Sequence, residues 1–370
     1  MKNKRWPTHL FAIDISRSIA ALAVVIWHWQ HFAHKSLLIE EQPLYNVLRL
    51  FYEKGSLGVS YFFILSGFIF FWLYKSDITD KKINAWNFSI QRFSRLYPLH
   101  LATLLIVAIL QILYVSRESS PFIYANNDSY HFLLNLLFAS NWVFEKGWSF
   151  NAPIWSVSIE ILLYISFFLM CLVRLGGWFL CLTLSITAFI LSYTIQHSLI
   201  NGLAMFYLGG LVFHSTAYIS KTSRIFKMPT YLIAIFSWTL VITHYYFLNL
   251  NNDFMGVFLS TEVFIDVYVK YILFPFTIAS LALIEIDRGP ILESFSWLGN
   301  ITYSSYLLHF PLQLIFILAV SYGILNSDFY LNTTYLLIYF IILILLSYFT
   351  YVKFERPAQK FIRNQLLKNA

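Results

Sequence analysis

The chain has 370 residues, of which 59% are hydrophobic, 20% aromatic and 12% charged, with a formal net charge of +7. A soluble globular domain carries about 25% charged residues, so this composition excludes that class and points to an all-α, polytopic integral membrane protein. The basic residues are spread between apolar runs, as membrane loops require, so the positive charge is not a nucleic-acid signature.

The N-terminal MKNKRWP is basic, but no clean apolar core and small-residue cleavage site follow it. The run 10–34 therefore reads as an uncleaved first helix. Inside its hydrophobic part stand Asp14, Arg17 and His28. At 100° per residue Arg17 and His28 return to nearly the same face, roughly 16 Å apart along the axis, and Asp14 lies one turn before Arg17. An ionisable residue at membrane depth costs about 3 kcal/mol or more and faces a bundle interior or a wet cavity. Three on one helix read as the wall of a polar cavity, although the Asp–Arg pair alone would also serve a purely structural role. His31 and His34 continue at helical spacing and read as solvated or interfacial.

The next apolar run, 56–74, contains Ser66-Gly67, a place for close backbone approach. Residues 75–95 are polar and basic, and 96–115 is the third span. The run 131–144 is only about 14 residues, short for a span and suited to a re-entrant or interfacial segment. Trp148 and Trp155 flank the following span as interface anchors. Further spans are expected at 155–173, 177–197, 200–217, 230–248, 264–284, 300–320 and 335–353. If 131–144 does not cross, there are ten spans with both termini cytoplasmic, and 18 of the 25 Lys and Arg fall inside. A crossing would invert every later loop and place the basic tail outside, against the charge rule. Cys171 and Cys181 lie in apolar segments and read as packing residues.

Three further constellations carry polar chemistry. Arg92 and Arg95, three apart on the expected cytoplasmic side, are able to grip phosphate oxygens, with a helix N-terminus adding favourable charge; taken alone, the pair reads first as positive-inside anchoring. Glu160 enters an apolar run four residues before Tyr164, so the two share a helix face, with Trp155 at the entry. That carboxylate serves to bind a polar acceptor, to pair with an arginine or to orient a base. His309 is deep in a span, and Pro311 just beyond it disturbs the helical hydrogen bonding. No nucleophile elbow, HExxH, Walker A or GxGxxG motif occurs, and the ten histidines lack metal-ligand spacing.

In order along the chain, SRSIAALAVVIWHW, LGVSYFFILSGFIF, FSIQRFSRLYPLH, PIWSVSIEILLY, LGNITYSSYLLHFPL and FERP together resemble the membrane-bound acyltransferase family 3, which includes bacterial O-acetylases of surface and secreted glycans. The resemblance implies about ten transmembrane helices, in agreement with the charge count. It gives His28 as the essential histidine, Arg17 as its helix partner, and Arg92 and Arg95 as the paired-arginine motif. The commoner DGLRG pattern is replaced by Asp14-Ile15-Ser16-Arg17-Ser18. The resemblance further implies an acyl-CoA donor, by default acetyl-CoA, and a hydroxyl of a polysaccharide or its lipid-linked precursor as acceptor, in the bacterial inner membrane. The expectation is one transmembrane acyltransferase domain over 1–370 with no appended soluble domain, no permanently bound cofactor and no metal. His28 would take the hydroxyl proton or carry the acyl group; Asp14 and Arg17 would hold the cavity and stabilise developing charge; Arg92 and Arg95 would engage the CoA phosphates. Glu160, Tyr164, Trp155 and His309 are candidate substrate contacts. The rival readings are a proton-coupled or anion transporter, which also uses intramembrane Asp, Arg and His, and a non-enzymatic glycan-export partner.

Overall fold

The computed structural model describes residues 6–33, 38–248 and 261–367; His34 lies outside them. All regular structure among the described residues is helical. Among the described residues nine helical stretches are long and apolar enough to cross a membrane, and Trp178–Ser192 is a shorter apolar helix at the position of the expected 177–197 span. The helices, in chain order, are α1 Phe11–His28, α2 Tyr45–Lys54, α3 Gly58–Leu73, α4 Lys75–Thr79, α5 Ala85–Glu118, α6 Ser129–Leu136, α7 Ile154–Leu172, α8 Trp178–Ser192, α9 Ser198–Ile219, α10 Arg224–Thr243, α11 Thr261–Tyr268, α12 Phe274–Arg288, α13 Ser296–Ser321, α14 Thr333–Thr350 and α15 Arg356–Leu366.

Two boundaries differ instructively from the sequence expectation. The third span starts at Ala85, not at about 96, because Asn84 caps it: its side chain accepts from the Asn87 amide. At 34 residues and 1.5 Å per residue, α5 is about 51 Å long. Arg92 and Arg95 therefore sit two to three turns inside a helix, beyond the reach of its N-terminal partial charge, which fades within one turn. The second difference is the end of α1 at His28, where the chain tightens into a 3-10 turn over Trp29–Phe32.

The short run 131–144 forms no full-length span. Only Ser129–Leu136 is helical there, and polar anchors fix the segment. Asp128 caps α6, accepting from the His131 amide and its Nδ1, each at 2.8 Å. These bonds hold the Asp128 carboxyl below the usual carboxylate range. The Asn135 amide donates to Ser149 Oγ at 2.9 Å, and the Trp142 indole donates to the Ser158 carbonyl at 2.9 Å. His100 Nε2 donates to the Asn135 carbonyl at 2.7 Å and its ring stacks on Phe138. His100 is an anchor for this segment.

The chain groups into two compact units, each assembled from three separated segments. The first comprises Met1–Trp27, Asn46–Thr79 and Met170–Gly299. Its tightest seam is α3 against α9. A Cβ at Gly67 would collide with the Phe206 carbonyl, and one at Gly209 with the Ile64 carbonyl, so the two backbones touch as small residues allow in membrane helices. The second unit comprises His28–Tyr45, Asp80–Leu169 and Asn300–Ala370. There α15 docks on α5, with Arg363 donating to Ser94 Oγ at 3.1 Å and to the Gln91 carbonyl at 3.2 Å.

Candidate active site

Within the first unit, Asp14 and Arg17 form a clamp. Arg17 Nη2 lies 3.3 Å from Asp14 Oδ1 and donates to the Gly299 carbonyl at 2.6 Å. Asp14 Oδ2 meets His9 Nε2 at 2.6 Å. Gly299 is required here: a Cβ would stand 2.6 Å from the Asp14 Cβ. The pair thus fastens the start of α1 to the first turn of α13. A carboxylate held by a guanidinium and an imidazole, with the guanidinium also on a carbonyl, is how half-buried charge is kept.

Within the second unit, three imidazoles adjoin. The His28 ring centroid is 4.8 Å from that of His31 and 4.8 Å from that of His309, the latter pair stacked at 27°. His28 is 8% exposed and His309 fully buried. His309 Nδ1 lies 2.6 Å from the Tyr306 carbonyl. A carbonyl only accepts, so Nδ1 carries the proton and Nε2 carries the lone pair. That Nε2 is buried and has no hydrogen-bond partner among the described residues. Gln313, one turn further along α13, donates its amide to the His28 carbonyl at 2.7 Å. This fixes its oxygen toward His31 Nδ1, 3.2 Å away, and makes Nδ1 the protonated nitrogen of His31 as well. His31 is therefore built into the cluster, in place of the solvated role expected for it. The signal was in the sequence: Gln313 and His309 are polar residues at i,i+4 in an apolar run.

Pro311 explains a neighbouring contact. It lacks the amide that would bond the Leu307 carbonyl. Asn151 Nδ2 donates to that carbonyl at 3.0 Å instead, so α13 continues unbroken past the proline. The Tyr339 hydroxyl donates to the His309 carbonyl at 2.7 Å, holding the same turn from α14.

From the histidines a column of polar groups runs along facing positions of α7 and α13. The Tyr306 and Ser156 hydroxyls are 3.0 Å apart, and both reach the Pro153 carbonyl. Glu160, one turn after Ser156, bears electrostatically on Tyr306 and hydrogen-bonds Tyr164. Arg92 and Arg95 act on that same Tyr164. Tyr303 lies within the fields of Glu355, Glu160 and Arg95, and donates to the Leu96 carbonyl at 2.7 Å. Ser304 Oγ donates to the buried Glu355 at 2.6 Å. Glu160 and Tyr164 are thus grouped with the arginines, and Glu355 adjoins them through Tyr303. Sequence spacing gave the Glu160–Tyr164 pair; Tyr303 and Glu355 come from segments distant in sequence. Trp155 stacks edge-on against Trp148 at 5.7 Å, at the loop end of α7. No group of three or more His, Cys, Asp or Glu among the described residues is placed to hold a metal, and Cys171 and Cys181 are buried free thiols.

Comparison with known proteins gives a consistent result. A family model described as an acyltransferase domain matches residues 10–352. The chain is 31% identical over 153 residues to the acyltransferase MdmB of Streptomyces mycarofaciens, an alignment covering 41% of this chain and 36% of that relative. The alignment thus spans about a third of the relative's length. No solved structure matches the chain with significance.

Proposed function

The chain belongs to acyltransferase family 3, and from that premise we propose that it transfers an acyl group from acyl-CoA, with acetyl-CoA the default donor, to a hydroxyl of a cell-surface or secreted polysaccharide or its lipid-linked precursor. The observation that carries this reading is the polar column of the second unit, with an arginine pair at one end and a histidine cluster at the other. From Tyr303 to His309 it advances six residues along α13, about 9 Å.

Arg92 and Arg95 serve the phosphates of the donor. Guanidinium groups bind phosphate oxygens with several directed donors, and Glu160 neutralises them until a phosphate replaces it. The histidines serve the hydroxyl, a poor nucleophile that needs a base positioned on its proton. His28 Nε2 or Nδ1 takes the proton as the hydroxyl oxygen attacks the thioester carbonyl. The C–S bond breaks, CoA leaves as thiolate and takes up the proton, and an ester and free CoA result. Two imidazolium ions 4.8 Å apart repel by about 3 kcal/mol at an effective dielectric constant of 20. The cluster therefore carries at most one imidazolium at a time, and with His309 and His31 neutral His28 is able to take up the hydroxyl proton. Asp14 and Arg17 position the start of α1, the helix that ends on His28. In the alternative covalent route His28 carries the acyl group, and the same residues serve. Both termini are placed in the cytoplasm, with the arginine end of the column facing it, in the inner membrane of a bacterium.

The test is stoichiometric transfer by membranes containing the protein, with one free CoA released for each acyl group bound to envelope glycan. Glycan acylation without CoA release, or solute movement without either, would replace this reading by the export-partner or transporter reading.

A further inference from the structure

We propose that the first unit binds one anionic phospholipid in the cleft between α10 and the C-terminal half of α12, its phosphate in a basic mouth and an acyl chain along an apolar wall. The cleft is about 1040 Å3, and Lys221, Arg224, Lys227 and Arg288 all line it. Lys227 is buried and bound to both Asp287 oxygens, at 2.7 and 2.9 Å. That pair neutralises itself and ties α10 to α12. Lys221, Arg224 and Arg288 make no ion pair with a carboxylate among the described residues. Arg224, Arg288 and Asp287 all bear on the Tyr231 ring, so they surround one place.

Local helix electrostatics work against this arrangement unless an anion is there. The first turn of α10 contains Arg224 and Lys227 and no acid, and Ser223 makes no side-chain cap bond. Cations oppose the partial positive charge of a helix N-terminus. A phosphodiester offsets both. Positive-inside anchoring would account for the charges but not for the shape of the cleft. The cleft continues past the basic mouth along Met228, Ala234, Ile235 and Ile284. Ile235 lies eleven residues into α10, about 16 Å from Arg224. The neighbouring Ile225 and Phe226 are 79% and 69% exposed, on a surface suited to lipid. A free phosphate would leave the apolar wall unused, and CoA would bring a polar nucleotide to it.

The site does not depend on the acyl-transfer reading and is tested separately. The full-length protein in detergent is equilibrated with equimolar phosphatidylglycerol and phosphatidylcholine, and retained lipid is counted by native mass spectrometry. One phosphatidylglycerol is expected, enriched ~10-fold over phosphatidylcholine and released as salt rises. The combined Lys221→Ala, Arg224→Ala and Arg288→Ala variant should lose the enrichment. Ile235→Trp, which fills the wall, should lose the retained lipid as well. Equal retention of the two lipids by the wild type, or undiminished enrichment in the folded triple variant, overturns the proposal. The wild type alone supplies two more decisive arms. Displacement of phosphatidylglycerol by equimolar CoA would make the cleft a donor site, and displacement by equimolar inorganic phosphate would make it a phosphate site; resistance to both is the expected result.

Discussion

The clamp at Asp14 and Arg17 and the cluster at His28, His31 and His309 are both polar groups set in apolar helices, yet they are finished differently. In the clamp, Asp14 meets His9 and Arg17, and Arg17 also reaches the Gly299 carbonyl. In the cluster, hydrogen bonds to Tyr306 and Gln313 settle where the protons of His309 and His31 sit, and His309 Nε2 keeps a lone pair with no partner. Leaving a buried polar atom unsatisfied costs about 1–3 kcal/mol. In the clamp the charges are paired with one another, which holds helices in place; in the cluster an imidazole is oriented by one nitrogen and carries a lone pair on the other.

The largest effect that would break this contrast is expected at the histidines. His28→Gln keeps polarity and approximate size but removes the base, and should lower acyl transfer by about 10²–10⁴-fold in a protein that still inserts and folds. His309→Gln should show a smaller loss, of about 10-fold or more, because it removes the oriented ring beside His28. Equal rates for wild type and His309→Gln in a direct assay would reduce that ring to packing. Next come the arginines. Arg92→Ala with Arg95→Ala should raise the KM for acyl-CoA by about 10–100-fold with a smaller change in kcat, read from initial rates across donor concentration. Glu160→Gln should move KM the other way if its carboxylate is what a donor phosphate replaces.

The clamp should respond as structure rather than chemistry. Arg17→Lys keeps a charge near Asp14 but loses the guanidinium fork, and Gly299→Ala forces a methyl against Asp14. Both should lower thermal stability by about 1–3 kcal/mol and reduce kcat only in proportion to the folded fraction. A folded, stable Arg17→Lys protein with a 100-fold loss of kcat would instead make the guanidinium part of the transition state. A loss confined to stability is expected at Asn151→Leu, which strands the Leu307 carbonyl freed by Pro311. It should cost about 1–3 kcal/mol in thermal unfolding, with the KM for donor unchanged.

Much of this arrangement is legible in the sequence because membrane helices announce themselves by apolar length and because charge inside them is rare. The residues Asp14, Arg17, His28, Arg92, Arg95, Glu160 and His309 stand out on that ground alone, and the short run at 131–144 is distinguished by length. The close approach at Gly67 is also foreseen, though not its partner Gly209. What stays hidden depends on packing between distant segments. Nothing local tells that Asn151 answers Pro311 or that Glu355 receives Ser304. The start of α5 is hidden for a different reason. Polar residues at 85–95 read as a loop, whereas the Asn84 cap and contacts with α15 extend the helix through them.

The most direct test of the central claim, that the histidine end of the second unit is where the acyl group leaves CoA, uses membrane vesicles and acyl-labelled acetyl-CoA. Free thiol and label in envelope glycan are followed together for the wild type and for His28→Gln at matched amounts of folded protein. The account predicts equal molar appearance of thiol and ester in the wild type and neither above background in His28→Gln. Ester formation by folded His28→Gln at the wild-type rate would contradict it.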